Sequence, residues 1–75
     1  MASYDWQKLP GTEQDVEWRD LHVDGHYAEI HQDSSWVIFC GRGRHRVKVA
    51  RGFEGTRADA KRAIRDWERR KGNGG

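Results

Sequence analysis

Trp36-Val37-Ile38-Phe39-Cys40, then Gly41-Arg42-Gly43-Arg44, then His45-Arg46-Val47-Lys48-Val49-Ala50: how this stretch is read decides the fold. The first five residues are apolar throughout and rich in β-formers, as suits an inner strand with both faces covered. Two glycines among arginines reverse the chain. The last six alternate apolar and polar, the period of a strand with one buried face. A symmetric loop pairs Cys40 with His45, Ile38 with Val47 and Trp36 with Val49. These six then share the core face, and Val37, Phe39, Arg46 and Lys48 form the other.

Upstream, Val23-Asp24-Gly25-His26 carries the best turn signal, because Asp-Gly supplies the positive φ angles of a two-residue type I′ hairpin. That turn sets Leu21 opposite Ala28 and His22 opposite Tyr27, so Leu21, Val23, Ala28 and Ile30 face the core. Val16 and Trp18 have the opposite parity, which a β-bulge near Arg19 and Asp20 reconciles. Asp33-Ser34-Ser35 reads as the next turn. Downstream, Gly52-Phe53-Glu54-Gly55 reads as a loop, and Thr56 as an N-cap with Asp59 completing a variant capping box. Ala60, Ala63, Ile64 and Trp67 follow the spacing of a buried helical stripe, with Arg57, Lys61, Arg65 and Glu68 on the solvent side. The expected fold is α+β: an antiparallel β-meander of three to four strands, roughly residues 16–50, with one C-terminal α-helix, roughly 57–70, packed on one face. Residues 1–15 read as a flexible or lid-like segment in which Trp6 and Leu9 dock before Pro10-Gly11 breaks the chain. Residues 16–71 read as the single domain, and residues 72–75 as a disordered Gly-rich tail.

A chain of 75 residues buries only about 60% of the surface its unfolded form exposes, so each large apolar side chain counts. With Cys40 its single cysteine, it forms no internal disulfide. No apolar run nears the roughly 18 residues of a membrane span, and Met1-Ala2-Ser3-Tyr4-Asp5-Trp6 lacks the basic and apolar regions of a signal peptide, so the expected location is cytoplasmic, with no membrane partner. The net charge of +2 hides an asymmetry: residues 1–35 hold two cations and eight anions, 2 − 8 = −6, and residues 36–75 twelve cations and four anions, 12 − 4 = +8. Either the halves neutralise each other across the sheet, or one of them meets a charged partner.

Catalytic and metal-binding patterns are missing, so no cofactor, metal site or enzymatic activity is expected. His22 and His31 lie roughly 10 Å or more apart at strand rise. Ser34 and Ser35 sit in a turn without a base, and Cys40 follows the buried parity of Trp36 and Ile38, as an inert thiol does. Asp20 and Glu29, nearly opposed across the first hairpin, suit ion pairing with Arg46 or Lys48 better than acid-base work on a flat sheet. Gly41-Arg42-Gly43 lacks the Lys-Ser or Lys-Thr and the following helix of a phosphate loop.

What remains is the sheet face away from the helix, carrying Val37 and Phe39 beside Arg44, Arg46 and Lys48, with Trp18, Tyr27 and His31 as neighbours. Such a face meets the N-terminal segment, a second copy, a protein or a nucleic acid. The strand-strand-helix segment from Trp36 to Arg70, with its Ala60, Ala63, Ile64, Trp67 stripe, resembles two groups. One is the sheet-plus-helix DNA-binding domain of plant ethylene-response factors and of the arm-binding region of phage integrases, in which Arg44, Arg46 and Lys48 would be the matching strand residues; the family's Arg-Gly and Trp pattern in the first strands is absent here. The other is the set of small phage and prophage proteins, anti-CRISPR proteins among them, that bind host nucleic-acid machinery and block it. The resemblance implies a non-enzymatic binding protein. The first expectation is an anti-CRISPR-like inhibitor with a protein partner, in which the acidic hairpin with Asp20, Asp24, Glu29 and Asp33 occupies a basic channel or the basic strand grips an acidic patch. The alternative is direct DNA or RNA binding through Arg44, Arg46 and Lys48, with Lys61 and Arg65 of the helix as further candidates. Pairing of two outer faces into a homodimer, burying Phe39, is compatible with either.

Overall fold

The structure, a computed structural model, describes residues 4–9 and 15–73. The expected break at Pro10-Gly11 and the final Gly74-Gly75 lie outside them. Five antiparallel strands, β1 (Gln7–Lys8), β2 (Glu17–Asp20), β3 (His26–Ile30), β4 (Ser35–Cys40) and β5 (Val47–Phe53), form one sheet in sequential order, and one helix, α1 (Arg57–Asn73), follows. The expected count of three to four strands is thus corrected to five. The additional strand is β1, too short to show a period in sequence. Gln7 pairs with Trp18 and Lys8 with Glu17, and the Leu9 amide donates to the Val16 carbonyl at 2.9 Å.

Both hairpin registers differ from those expected. Gly25 takes a φ of +75° while Asp24 stays negative, the pattern of a type II turn rather than type I′, closed by the His26 amide on the Val23 carbonyl at 3.1 Å. A type II turn twists against the strands it joins. The ladder therefore begins only where the Leu21 amide reaches the His26 carbonyl, and Arg19 rather than Leu21 faces Ala28. The displacement is by two residues, which preserves parity. Leu21, Ala28 and Ile30 accordingly still reach the core, with Val23 packed at its margin. No bulge interrupts β2 at Arg19 and Asp20, so Trp18 stays on the outer face.

The second hairpin shifts further. A 3₁₀ turn, Gly43–His45, lengthens the reversal, so Cys40 faces Val47, not His45. The sheet's bulge falls here: Phe39 faces Lys48 and Ile38 faces Ala50, leaving Val49 without a partner. Trp36 then faces Gly52, not Val49, and the strand runs on through Phe53 instead of ending at Ala50. Expected core residues Val47 and Val49 are exposed in consequence. Gly52 is a strand residue because Trp36 needs the space. A Cβ there would stand 2.6 Å from the Trp36 indole carbons, and that indole donates to Glu54 Oε2 at 3.1 Å. Gly52→Ala is expected to destabilise by roughly 1–3 kcal/mol through displacing a rigid ring. Urea unfolding followed by circular dichroism checks it, and an unchanged midpoint would show that the ring moves aside freely.

The helix covers the other side. Gly55, at a φ of +86°, turns the chain into Thr56, whose hydroxyl accepts the Asp59 amide at 3.1 Å as an N-cap. Ala60 and Ile64 are fully buried against Ala28, Ile30 and Ile38, with Trp67 and Leu21 closing the same cluster. α1 continues past the expected end, through Gly72 to Asn73. Of its expected solvent-side residues, Arg65 is exposed but Glu68 is buried. Arg19, on the helix-facing side of β2, forks onto Glu68 at 2.9 and 3.3 Å, and the His22 amide donates to the same carboxylate. Arg57 and Lys61 reach Glu17 at 2.5 and 3.5 Å. These ion pairs pin the helix to β2, the strand beyond its apolar stripe.

Candidate functional site

Residues opposed across antiparallel strands share a face. The observed register therefore places Trp18 and Asp20, Tyr27 and Glu29, Val37 and Phe39, and Lys48 and Arg51 on the side away from α1. At one end of this face a small second core forms. The Tyr27 and Phe39 rings stack with centroids 5.2 Å apart, and with Val37 they are buried. Their cover is not Trp6. Trp6 packs against the helix-side core, between the cations of Arg19 and Lys61. The cover is arginine: Arg46 lies 4.2 Å above Phe39 and donates to the Tyr27 hydroxyl at 2.8 Å, while Arg42 sits 4.9 Å above the Tyr27 ring. The hydroxyl bond, with the nearby charge of Glu29, raises the Arg46 pKa further above its ordinary value.

Of the residues expected to bind a partner, Val37 and Phe39 are only 8% and 4% exposed, so they stiffen the sheet from beneath the arginines. Asp20 and Glu29 are not opposed: Asp20 faces Tyr27 and Glu29 faces Trp18. Each carboxylate is already engaged, Asp20 by Arg42 and Glu29 by Arg46 at 3.7 Å and His31 at 3.3 Å. Arg44 is exposed in the 3₁₀ turn, and Lys48 is exposed on β5. Neither makes an ion pair among the described residues, and the same holds for Arg51.

Two residues at the other end of the face escaped the sequence reading. Arg51 and Phe53 continue β5 beyond its bulge, and Phe53 is 66% exposed, the most exposed of the large apolar side chains among the described residues. Val47, Val49 and Phe53 keep an apolar period of two in sequence, but Gly52 reads as a loop, and the bulge at Val49 puts Arg51 and Phe53 on the face opposite Val47, which that period does not reveal. Together with His31, Val37 and Lys48 they line a shallow cavity of about 510 Å³. Beside it, hydrogen bonds from the Ser35 hydroxyl and amide hold the Asp33 carboxyl below its usual range and brace the turn in which Ser34 takes a φ of +69°.

The charge asymmetry of the sequence is largely consumed in the fold. Asp15, Glu17, Asp20 and Glu29 of the acidic half bind Arg57, Lys61, Arg42 and Arg46 of the basic half, and Arg19 binds Glu68. Asp15 is held below the usual carboxylate range first by its hydrogen bond from Lys8 and also by the charge of Arg57. These carboxylates are thus engaged; among the described residues Asp24 and Asp66 make no ion pair, but more cations than anions are left without one, Arg44, Lys48, Arg51, Arg65, Arg69 and Arg70 among them. Among the described residues, no three His, Cys, Asp or Glu side chains gather as a metal site would require, and no helix is long and apolar enough to cross a membrane. Comparison with protein-family models, with curated proteins and with solved structures finds no match to this chain.

Proposed function

We propose that the domain is a non-enzymatic binding protein whose outer sheet face takes nucleic acid. The observation that carries this reading is the unpaired cationic set Arg44, Lys48 and Arg51 beside a face whose carboxylates, Asp20 and Glu29, are already neutralised. Cations without internal partners release bound counterions from a phosphate backbone, which makes the affinity steeply salt-dependent. The acidic hairpin is a poor polyanion mimic at Asp20 and Glu29, which arginines of the chain itself already hold.

Fluorescence anisotropy with labelled single-stranded and duplex oligonucleotides tests the reading. Binding is expected at about 50 mM salt, weakening linearly on a log-log salt plot. In the Arg44→Gln/Lys48→Gln/Arg51→Gln variant the slope is expected to become shallower by about 0.7 to 0.9 for each phosphate that the variant no longer neutralises. Absence of binding at low salt, or a variant indistinguishable from the parent, would overturn it.

The exposed Val47, Val49 and Phe53 of β5 favour a second reading, in which the domain docks as an anti-CRISPR-type inhibitor on a protein of the nucleic-acid machinery. Loss of target cleavage by a purified CRISPR effector on adding the domain, restored by Val47→Lys and Val49→Lys, supports that reading. Undiminished cleavage across effector types counts against it.

A further inference from the structure

We propose, building on the nucleic-acid reading, that the outer face is selective for single strands, with Phe53 stacking on an unpaired base and Arg51 and Lys48 holding successive phosphates to one side of it. Phe53 ends β5 opposite Ser35, a side chain too small to shield it, and two thirds of its surface stays in water. A large aromatic left this exposed on a strand costs solvation unless something covers it. What surrounds it is polar and cationic. Arg51 stands two residues before it on the same face, about 7 Å away at strand rise, close to the span of one extended nucleotide. Lys48 lies further along β5, and His31 and Val37 floor the cavity between them.

Of the nearby carboxylates, Glu29 is paired with Arg46 and bound by His31; Glu54 and Asp33 accept only neutral donors, the Trp36 indole N–H and Ser35, and keep their charge, so the attraction for phosphate rests on Lys48 and Arg51. At the opposite end of the face the Tyr27 and Phe39 rings are buried beneath Arg42 and Arg46, and Trp18 is half-buried, so the ring most open to a base is Phe53. A duplex shows its backbone and base edges but keeps its base faces stacked on one another. A phenylalanine on a shallow sheet therefore finds a π-face only where bases are unpaired.

The experiment compares a labelled pyrimidine single strand of about 16 nucleotides with its duplex, using the full chain and its Phe53→Ala and Phe53→Trp variants. The single strand is expected to bind more tightly than the duplex. Phe53→Ala is expected to weaken single-strand binding by roughly 5- to 150-fold while leaving duplex affinity and the salt slope unchanged, and Phe53→Trp to restore it. Because Phe53 is exposed, circular dichroism melts of the variants are expected to overlay the parent. Equal binding of both forms with a silent Phe53→Ala would overturn the stacking role but leave the cationic reading intact. Binding of neither form would overturn both.

Discussion

Replacing Glu68 by alanine is expected to cost about 3–5 kcal/mol, because it strands a buried guanidinium. Arg19 and Glu68 side chains are 9% and 11% exposed, and the carboxylate also accepts the His22 amide. Truncation removes the partner of the charge and an acceptor for a backbone N–H. In a domain of this size, at the low end of the usual 5–15 kcal/mol of stability, most of the folded population is at stake. The double variant Arg19→Met/Glu68→Leu, which removes both charges and keeps volume, is expected to recover most of the loss. Urea midpoints of the single and double variants read this directly, and a single-variant cost within about 0.5 kcal/mol would show that water reaches the pair.

The same pair sets an acid limb. Burial pushes the Glu68 carboxyl up, but the hydrogen bond from Arg19, the His22 amide and the Arg19 charge outweigh it, and the net shift is downward. A carboxyl with a depressed folded-state pKa stabilises fully above the unfolded carboxylate range and loses that contribution as pH falls through the folded value. The parent is therefore expected to lose stability on acidification more steeply than the double variant.

Ile38→Ala is expected to cost about 2–5 kcal/mol. Ile38 is fully buried in the central run of β4, with Ala28 on one side, Ala50 on the other and Ile64 in the same core cluster. Its neighbours cannot fill the space, since both flanking strands offer only alanine at that level. Val47→Ala is the control. Valine at 47 belongs to an equally strand-like run but is 60% exposed, so its truncation is expected to fall within about 0.5 kcal/mol. Equal costs at the two positions would contradict the placement of the core over β3 and β4 rather than β5.

Both results bear on function, because the core that Ile38 and Glu68 hold is what keeps the outer face flat. Ile38 and Phe39 point to opposite sides of one strand. The helix-side core and the Tyr27, Val37, Phe39 cluster are packed back to back through it. Phe53 and Arg51 stand beyond the reach of the helix, where β5 is paired on one edge only.

The α+β class, the capped helix with its Ala60, Ile64, Trp67 stripe, and the core parity of Leu21, Ala28, Ile30 and Ile38 were legible in the local pattern of residues. Those features depend on local chemistry and on periods of 3.6 and 2, and the parity survives a register error of two residues. The rest depends on pairing between distant segments, which no local pattern records. The type II turn at Gly25 and the 3₁₀ turn before β5 reset both registers, and β1 became a strand only because β2 offered it an edge. Gly52 proved to be a seat for the Trp36 ring, which no local signal distinguishes from a loop glycine. Glu68 looked like a surface charge because its partner, Arg19, is brought to it by the folding of the sheet. The site changed in the same way: Val37, Phe39, Asp20 and Glu29 are occupied from within the chain, and the register put Arg51 and the exposed Phe53 ring on the outer face at the far end of β5.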